Sequence, residues 1–134
     1  MMDTIGSLAA MFIDAEGSEV DILKGAIRVI SESRPAILLE SSPKLLKRVG
    51  HSVQELNALL SSLEYETREI ARLSVVQPRS YRQAKASNWI CLPKEREHLF
   101  TKVQALIRKC GLLPCLPALN PLTRRRIKWA VSHM

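Results

Sequence analysis

The sequence predicts an α/β fold in which helices cover a layered sheet. Short apolar runs of strand length alternate with segments whose apolar residues recur at the helical period. Along the chain the order is strand, helix, strand, helix, strand, strand, helix, and such alternation is typical of α/β proteins. The 134 residues, 46% of them hydrophobic, suffice for one domain.

The first strand is predicted over residues 9–13, a short apolar run that ends at Asp14. A run of this kind is typical of a strand that is covered on both faces. Gly17 follows as a turn glycine, and Ser18 is a candidate N-cap for the helix after it.

The first helix is predicted from Glu19 to Arg34, where the following proline ends it. Its buried face is formed by apolar residues at offsets of three and four, namely Val20, Leu23, Ile27 and Ile30. A glycine inside a helix costs about 1 kcal/mol relative to alanine. We therefore expect Gly25 to pack closely against a strand.

A second buried strand is predicted over residues 36–40, with Glu40 at its carboxyl end. A short helical turn follows over residues 44–49. Ser52 and Glu55 have the spacing of a capping box at the start of the next helix.

Two strands and a helix complete the prediction. Residues 65–76 contain good strand formers and are predicted as one strand, and residues 88–93 form another that ends at a proline. A loop joins the two. An amphipathic helix is expected over residues 94–110, terminated by Gly111.

Several of these segments combine into a recognisable pattern. The sequence reads FIDAEGSE at residues 12–19, LKGA at residues 23–26 and PAILLE at residues 35–40. The closing strand, NWICLP, occupies residues 88–93. In this order and spacing the segments resemble the FkbM family of S-adenosylmethionine-dependent methyltransferases over roughly residues 9–94.

The resemblance implies a partial Rossmann-like class I methyltransferase sheet made of strands four to seven, with the last strand antiparallel. The family's first three strands have no counterpart here. Its glycine-containing cofactor loop has none either, because the five glycines form no Gly-x-Gly pattern. We therefore expect this chain to be a truncated, carboxyl-terminal portion of such a domain, inactive alone. A degenerate relative without activity is the other explanation.

The resemblance also implies the site and its ligands. Ligands of such sheets lie beyond the carboxyl ends of the strands. Asp14 and Glu16 are the predicted catalytic residues, and Gly17 and Glu40 are candidate residues at the edge of the site. Glu19 is expected to be a structural partner of the loop. The implied cofactor is S-adenosylmethionine, and the implied reaction is O-methylation of a small molecule or a glycan.

The positive charge is concentrated at the carboxyl end of the chain. Residues 1–93 contain 11 Lys/Arg and 11 Asp/Glu, whereas residues 94–134 contain nine and two. Because the resemblance ends at about residue 94, we divide the chain into a methyltransferase portion, residues 1–94, and a basic helical extension, residues 95–134. The alternative function is a non-catalytic binding module whose basic tail contacts nucleic acid or an anionic membrane. The methyltransferase hypothesis involves no nucleic-acid partner.

The histidines, the cysteines and the apolar runs limit which metal sites, locations and partners we expect. The histidines are dispersed and Cys110 and Cys115 have no second pair, so no metal site is predicted. Three cysteines, an odd number, favour reduced thiols in the cytoplasm. No apolar run is long enough to span a membrane. An open edge at residues 9–13 predicts that the chain self-associates when expressed alone.

Overall fold

The computed structural model describes residues 8–71, 74–78 and 85–112. These residues form one sheet whose strands, in chain order, are β1 (Ala10–Ile13), β2 (Ala36–Ser41), β3 (Tyr65–Ala71), β4 (Ser74–Val76) and β5 (Ser87–Pro93). Across the sheet the order is β1-β2-β5-β3-β4. The fold is therefore α/β with a mixed, open sheet, as the sequence predicts.

Along the chain, most helices of the described residues fall between one strand and the next. In chain order they are α1 (Glu19–Gly25), α2 (Ile27–Ser33), α3 (Pro43–Arg48), α4 (Val53–Ser62) and α5 (Leu99–Leu112), with a 3-10 turn at Lys94–Arg96. None of these helices is both long and apolar enough to cross a membrane.

The strand directions define a sheet with one inserted antiparallel strand. β1 and β2 are parallel, with Ile13 beside Leu39. β5 runs antiparallel to both of its neighbours, β2 and β3. β2 and β3 are therefore parallel to each other, and β5 lies between them. This arrangement is compatible with a Rossmann-like methyltransferase sheet.

One face of the sheet carries the main hydrophobic core. Alternate residues of the strands point to this face, where they meet the apolar stripes of α1, α2 and α4. Its fully buried members include Leu23, Ile30, Ile37, Leu39 and Leu56. Trp89 is buried among them.

The opposite face is covered by α5 over part of its width. Phe100 at the start of α5 packs on Ile90 and Leu92 of β5, with Ile70 of β3 and Val75 of β4 beside them. At the other end of the same face, Phe12 on β1 is 74% exposed. The sheet is thus covered on both faces near β5 and open on one face at β1, where the apolar run predicted a strand covered on both faces.

The first predicted helix is divided into α1 and α2 by a turn at Ala26. Ala26 has φ −96° and ψ 5°, yet its N–H still donates to the carbonyl of Ile22. The expected close packing of Gly25 is wrong, because a methyl group there would meet no atom within 4 Å. Gly25 instead precedes the turn, on an exposed surface.

The predicted single strand over residues 65–76 is also wrong. The chain reverses between β3 and β4, which pair antiparallel with Ala71 opposite Ser74. The residues between the two strands in the sequence are Arg72 and Leu73. Neither is a residue type that favours a turn, so the reversal could not be predicted from them.

The last predicted helix begins later and continues further than expected. A 3-10 turn occupies Lys94–Arg96, and α5 extends through Gly111 to Leu112. A single glycine is tolerated in a helix at a cost of about 1 kcal/mol. The cluster of basic residues at positions 124–128 lies outside the described residues, as does Cys115.

Candidate functional site

The candidate site lies at the carboxyl edge of the parallel strands β1 and β2. Because Ile13 pairs with Leu39, the next residues along the two strands, Asp14 and Glu40, reach the same edge of the sheet. Asp14 is exposed and Glu40 is partly buried. The structure thus brings together two of the acidic residues predicted for the site.

The loop after β1 places the third acidic residue, Glu16, in an unusual conformation. Glu16 has φ +49° and Gly17 has φ +114°, so two successive residues have positive φ. Gly17 also lies against the start of α3, where a Cβ would come within 2.6 Å of the carbonyl oxygen of Leu45. Glycine is thus required at this position both for its backbone angle and for the close approach.

Glu19 holds this loop in place from the start of α1. Its side chain is buried, with the residue only 2% exposed. The carboxylate Oε1 accepts hydrogen bonds from the backbone N–H of Gly17 at 3.1 Å and of Ala15 at 3.3 Å. The prediction that Glu19 is a structural partner of the loop is confirmed. Ser18, the expected N-cap, makes no capping bond with its side chain.

Two buried polar atoms near this edge have no hydrogen-bond partner among the described residues. They are Oε2 of Glu19 and Oγ of Ser41, the last residue of β2. The side chain of Ser41 lies on the same face as Leu39 and Ile37, which is the face that α1 covers. Buried acceptors and hydroxyls ordinarily have partners, so both atoms have capacity for a further hydrogen bond.

The chemistry available at this edge is that of carboxylates on a rigid scaffold. Asp14 and Glu16 present exposed oxygens that accept hydrogen bonds from a hydroxyl or attract a cation. Among the described residues, no group of three or more His, Cys, Asp or Glu side chains is arranged to hold a metal ion. The sequence has no glycine loop of the kind that cradles an adenosine cofactor.

A second cluster of charged residues was not predicted from the sequence. His51 contacts two carboxylates, with Nδ1 at 2.9 Å from Glu55 and Nε2 at 3.1 Å from Asp21. Lys24 donates to the other oxygen of Glu55 at 2.9 Å. These hydrogen bonds raise the pKa of His51 and lower the pKa of Glu55.

The cluster connects α1 with α4 and occupies both ring nitrogens of His51. Its role is therefore structural. The spacing of His51 and Glu55, four residues apart, could have indicated their contact, whereas the contact with Asp21 depends on the tertiary fold.

A small polar cavity lies elsewhere, between α4 and the first residues of β3. Its volume is about 210 Å³, and Asn57, Ser61 and Thr67 are among its lining residues. β3 begins at the edge of the sheet opposite to the end of β2, because Thr67 and Ile37 both pair with Cys91. The cavity is thus separate from the acidic edge.

Comparison with known proteins supports the family resemblance. Residues 4–67 match the model of the methyltransferase FkbM domain, a partial match that covers a little under half of the chain. The match confirms the resemblance and includes Asp14, Glu16, Gly17 and Glu40. It ends within β3, before the closing strand β5. No curated protein and no solved structure gives a significant match.

Proposed function

Because residues 4–67 match the methyltransferase FkbM domain, we propose that this chain carries the carboxyl-terminal portion of an S-adenosylmethionine-dependent O-methyltransferase. The sheet supports this proposal. Its order β1-β2-β5-β3, with β5 antiparallel to both neighbours, is compatible with strands four, five, seven and six of the class I methyltransferase fold.

The location of the proposed site is supported by the acidic edge beyond β1 and β2. Asp14 and Glu40 follow paired strands, and Glu16 lies in a loop fixed by Glu19 and by the contact of Gly17 with Leu45. A fixed loop matters because group transfer depends on holding the acceptor in one orientation.

Asp14 and Glu16 have the proposed catalytic roles. S-adenosylmethionine, when bound, would supply an electrophilic methyl group, whose bond to sulfur would break and leave the neutral thioether. One carboxylate accepts a hydrogen bond from the acceptor hydroxyl and takes its proton as the new oxygen–carbon bond forms. The other carboxylate orients the acceptor. Glu40 and Gly17 form the border of this site.

The described residues fit the acceptor better than the cofactor. Exposed carboxylates suit the hydroxyl groups of a small molecule or a glycan, whereas the glycine loop expected around the adenosine is absent from the sequence. We therefore assign this chain the acceptor side of the site, and we expect the chain alone to be inactive. The odd number of cysteines in the sequence is the ground on which we also propose a cytoplasmic location.

The test is transfer of a labelled methyl group from S-adenosylmethionine to acceptors in an extract of the source cells. The protein is isolated from those cells, and its intact mass is measured first. A species of about 25–30 kDa has the size of a full α/β domain. Activity of the isolated protein should fall at least tenfold in Asp14→Asn and in Glu16→Gln.

The matched control is Glu97→Gln. Glu97 is an exposed carboxylate that follows β5, at the edge of the sheet opposite to Glu40. Its substitution should leave transfer unchanged. Equal transfer by the wild type and both site variants would refute the assignment of Asp14 and Glu16. If the isolated species has the mass of a full α/β domain, absence of transfer by its wild type would refute the methyltransferase activity itself.

A further inference from the structure

Helix α3 presents a positively charged face to solvent. Lys44, Lys47 and Arg48 are all exposed. Their spacing of three and four residues places them on one side of the helix, opposite the buried side chain of Leu46. The helix therefore has one face that packs on the core and one face that carries three cations.

These cations have no counterion among the residues that the structure describes. No carboxylate there forms an ion pair with Lys44, Lys47 or Arg48. On the neighbouring helices α1 and α2, by contrast, Lys24 contacts Glu55 and another basic residue contacts a carboxylate one turn away. Like charges at helical spacing destabilise a helix, so an anion beside this face would remove a repulsion within α3.

The cationic face lies at the same edge of the sheet as the proposed acceptor site. α3 begins two residues after the carboxyl end of β2, and α4 then returns to the start of β3 at the opposite edge. The loop with Asp14 and Glu16 packs on α3, since a Cβ at Gly17 would come within 2.6 Å of the carbonyl oxygen of Leu45. Lys44 is the residue before this contact, with about 3.8 Å between consecutive Cα atoms.

We propose that the methyl acceptor carries an anionic group, a phosphate or a carboxylate, and that the cations of α3 bind this group. The acceptor hydroxyl then lies at Asp14 and Glu16. These carboxylates repel an anion, so the charged end of the acceptor is directed to α3 and only the hydroxyl reaches them. The inference rests on the proposed methyl transfer and names the substrate class of the same site.

The side chains of α3 suit an anion with several oxygen atoms. The ammonium groups of Lys44 and Lys47 each have three donors, and the planar guanidinium of Arg48 binds two oxygens of a phosphate or a carboxylate at once. Because all three side chains are exposed, salt screens their attraction for an anion. The affinity for the acceptor should therefore fall as ionic strength rises.

The first test is the charge of the methylated product. The protein isolated from the source cells transfers a labelled methyl group from S-adenosylmethionine to a cell extract from which protein and nucleic acid have been removed. The labelled product should be retained on an anion-exchange column at neutral pH and released by salt. Treatment with phosphatase should abolish the retention if the anionic group is a phosphate and leave it unchanged if the group is a carboxylate.

The second test separates binding of the acceptor from the chemical step. A double variant with Lys44→Gln and Arg48→Gln, expressed in the source cells, should raise the KM for the purified acceptor at least tenfold and change kcat less than about twofold. Added salt should raise the KM of the wild type more than that of the double variant.

The matched control removes the same charges from α5. Lys102→Gln combined with Arg108→Gln, at exposed positions of that helix, should leave KM unchanged. Exchanging the two cations of α3, with Lys44→Arg and Arg48→Lys, keeps their charge and should hold KM within about threefold of the wild type. Circular dichroism establishes that each variant is folded.

Two results would overturn the inference and leave the methyl transfer intact. One is a labelled product that carries no negative charge. The other is an anionic product for which the double variant in α3 has the KM of the wild type. Absence of any labelled product from a species with the mass of a full α/β domain would instead refute the methyl transfer, and this inference with it.

Discussion

The buried carboxylate of Glu19 accepts a hydrogen bond from the backbone N–H of Gly17, with 3.1 Å between Oε1 and the nitrogen. This bond connects the start of α1 to the loop that carries Asp14 and Glu16. The same oxygen accepts the N–H of Ala15. A charged group at the N-terminus of a helix is also favoured by the helix dipole. The position of the proposed catalytic carboxylates thus depends on a neighbour that does not itself reach the surface.

We therefore predict that Glu19→Ala destabilises the protein by about 2–4 kcal/mol, since it leaves two backbone donors without their acceptor and opens a void. Glu19→Gln, which retains one carbonyl oxygen, should have a smaller effect. Urea unfolding measures both, and hydrogen exchange at Gly17 should become faster in each variant. Asp14→Ala, at an exposed carboxylate, is the control and should change stability by less than about 0.5 kcal/mol.

The elements that the sequence predicted well are those with local signals. The strand at β1 follows from a short apolar run stopped by Asp14, and the start of α4 from Ser52, whose Oγ does accept the N–H of Glu55. The convergence of Asp14 and Glu40 follows from the alternation of strands and helices, since parallel strands end at one edge.

The features that could not be predicted from the sequence depend on contacts between residues that are distant along the chain. Nothing local distinguishes a long strand over residues 65–76 from a hairpin, because the reversal at Ala71 and Ser74 lacks glycine and proline. The pairing of His51 with Asp21 joins residues 30 apart. The requirement for glycine at residue 17 was expected from its turn, but the contact with Leu45 was not.

Two glycines of this region should respond oppositely to alanine. Gly17→Ala forces a side chain into φ +114° and against the Leu45 carbonyl, so we expect a loss of at least about 3 kcal/mol. Gly25→Ala meets no atom within 4 Å and should stabilise by up to about 1 kcal/mol. Thermal and urea unfolding of the two variants measure this difference. Destabilisation by Gly25→Ala would show that the turn at Ala26 requires the glycine.

The ion cluster at His51 predicts a pH dependence of stability. Hydrogen bonds to Glu55 and Asp21 raise the pKa of His51 above its ordinary value of 6.5. The contribution of His51 to the free energy of unfolding is therefore complete below pH 6.5, and it is lost as pH rises through the folded-state pKa. The pKa of Glu55 is lowered by Lys24 and His51, so its contribution is lost at acidic pH, as pH falls through the lowered value. The cluster should therefore stabilise most between about pH 4.5 and 6.5.

Urea unfolding at about pH 5.5 and pH 8.5 measures the effect. His51→Gln should reduce stability more at the lower pH, so that the wild type loses its advantage as pH rises. His98→Gln, at an exposed histidine, is the matched control. Equal effects of His51→Gln at both pH values would mean that the charge on the ring contributes nothing to the connection between α1 and α4.

Arg34, at the end of α2, connects this helix to two other segments of the chain. One segment precedes β3 and the other follows β5. Its guanidinium donates to the carbonyl of Leu63 at 2.7 Å and to both oxygens of Glu95, at 2.9 Å each. It also lies 4.9 Å from the centre of the Tyr65 ring. The bond from Arg34 lowers the pKa of Glu95 to about 2.

We predict that Arg34→Lys destabilises by about 1–2 kcal/mol, because an ammonium cannot donate in parallel to a carboxylate and also reach the carbonyl. Arg28→Lys is the matched control. Arg28 contacts Glu32 at 3.8 Å on an exposed surface, where such pairs contribute little. Urea unfolding measures both variants at neutral pH. If Arg34→Lys were as neutral as Arg28→Lys, the contacts of Arg34 would be no stronger than an ordinary surface ion pair, and α2 would be held by its buried face alone.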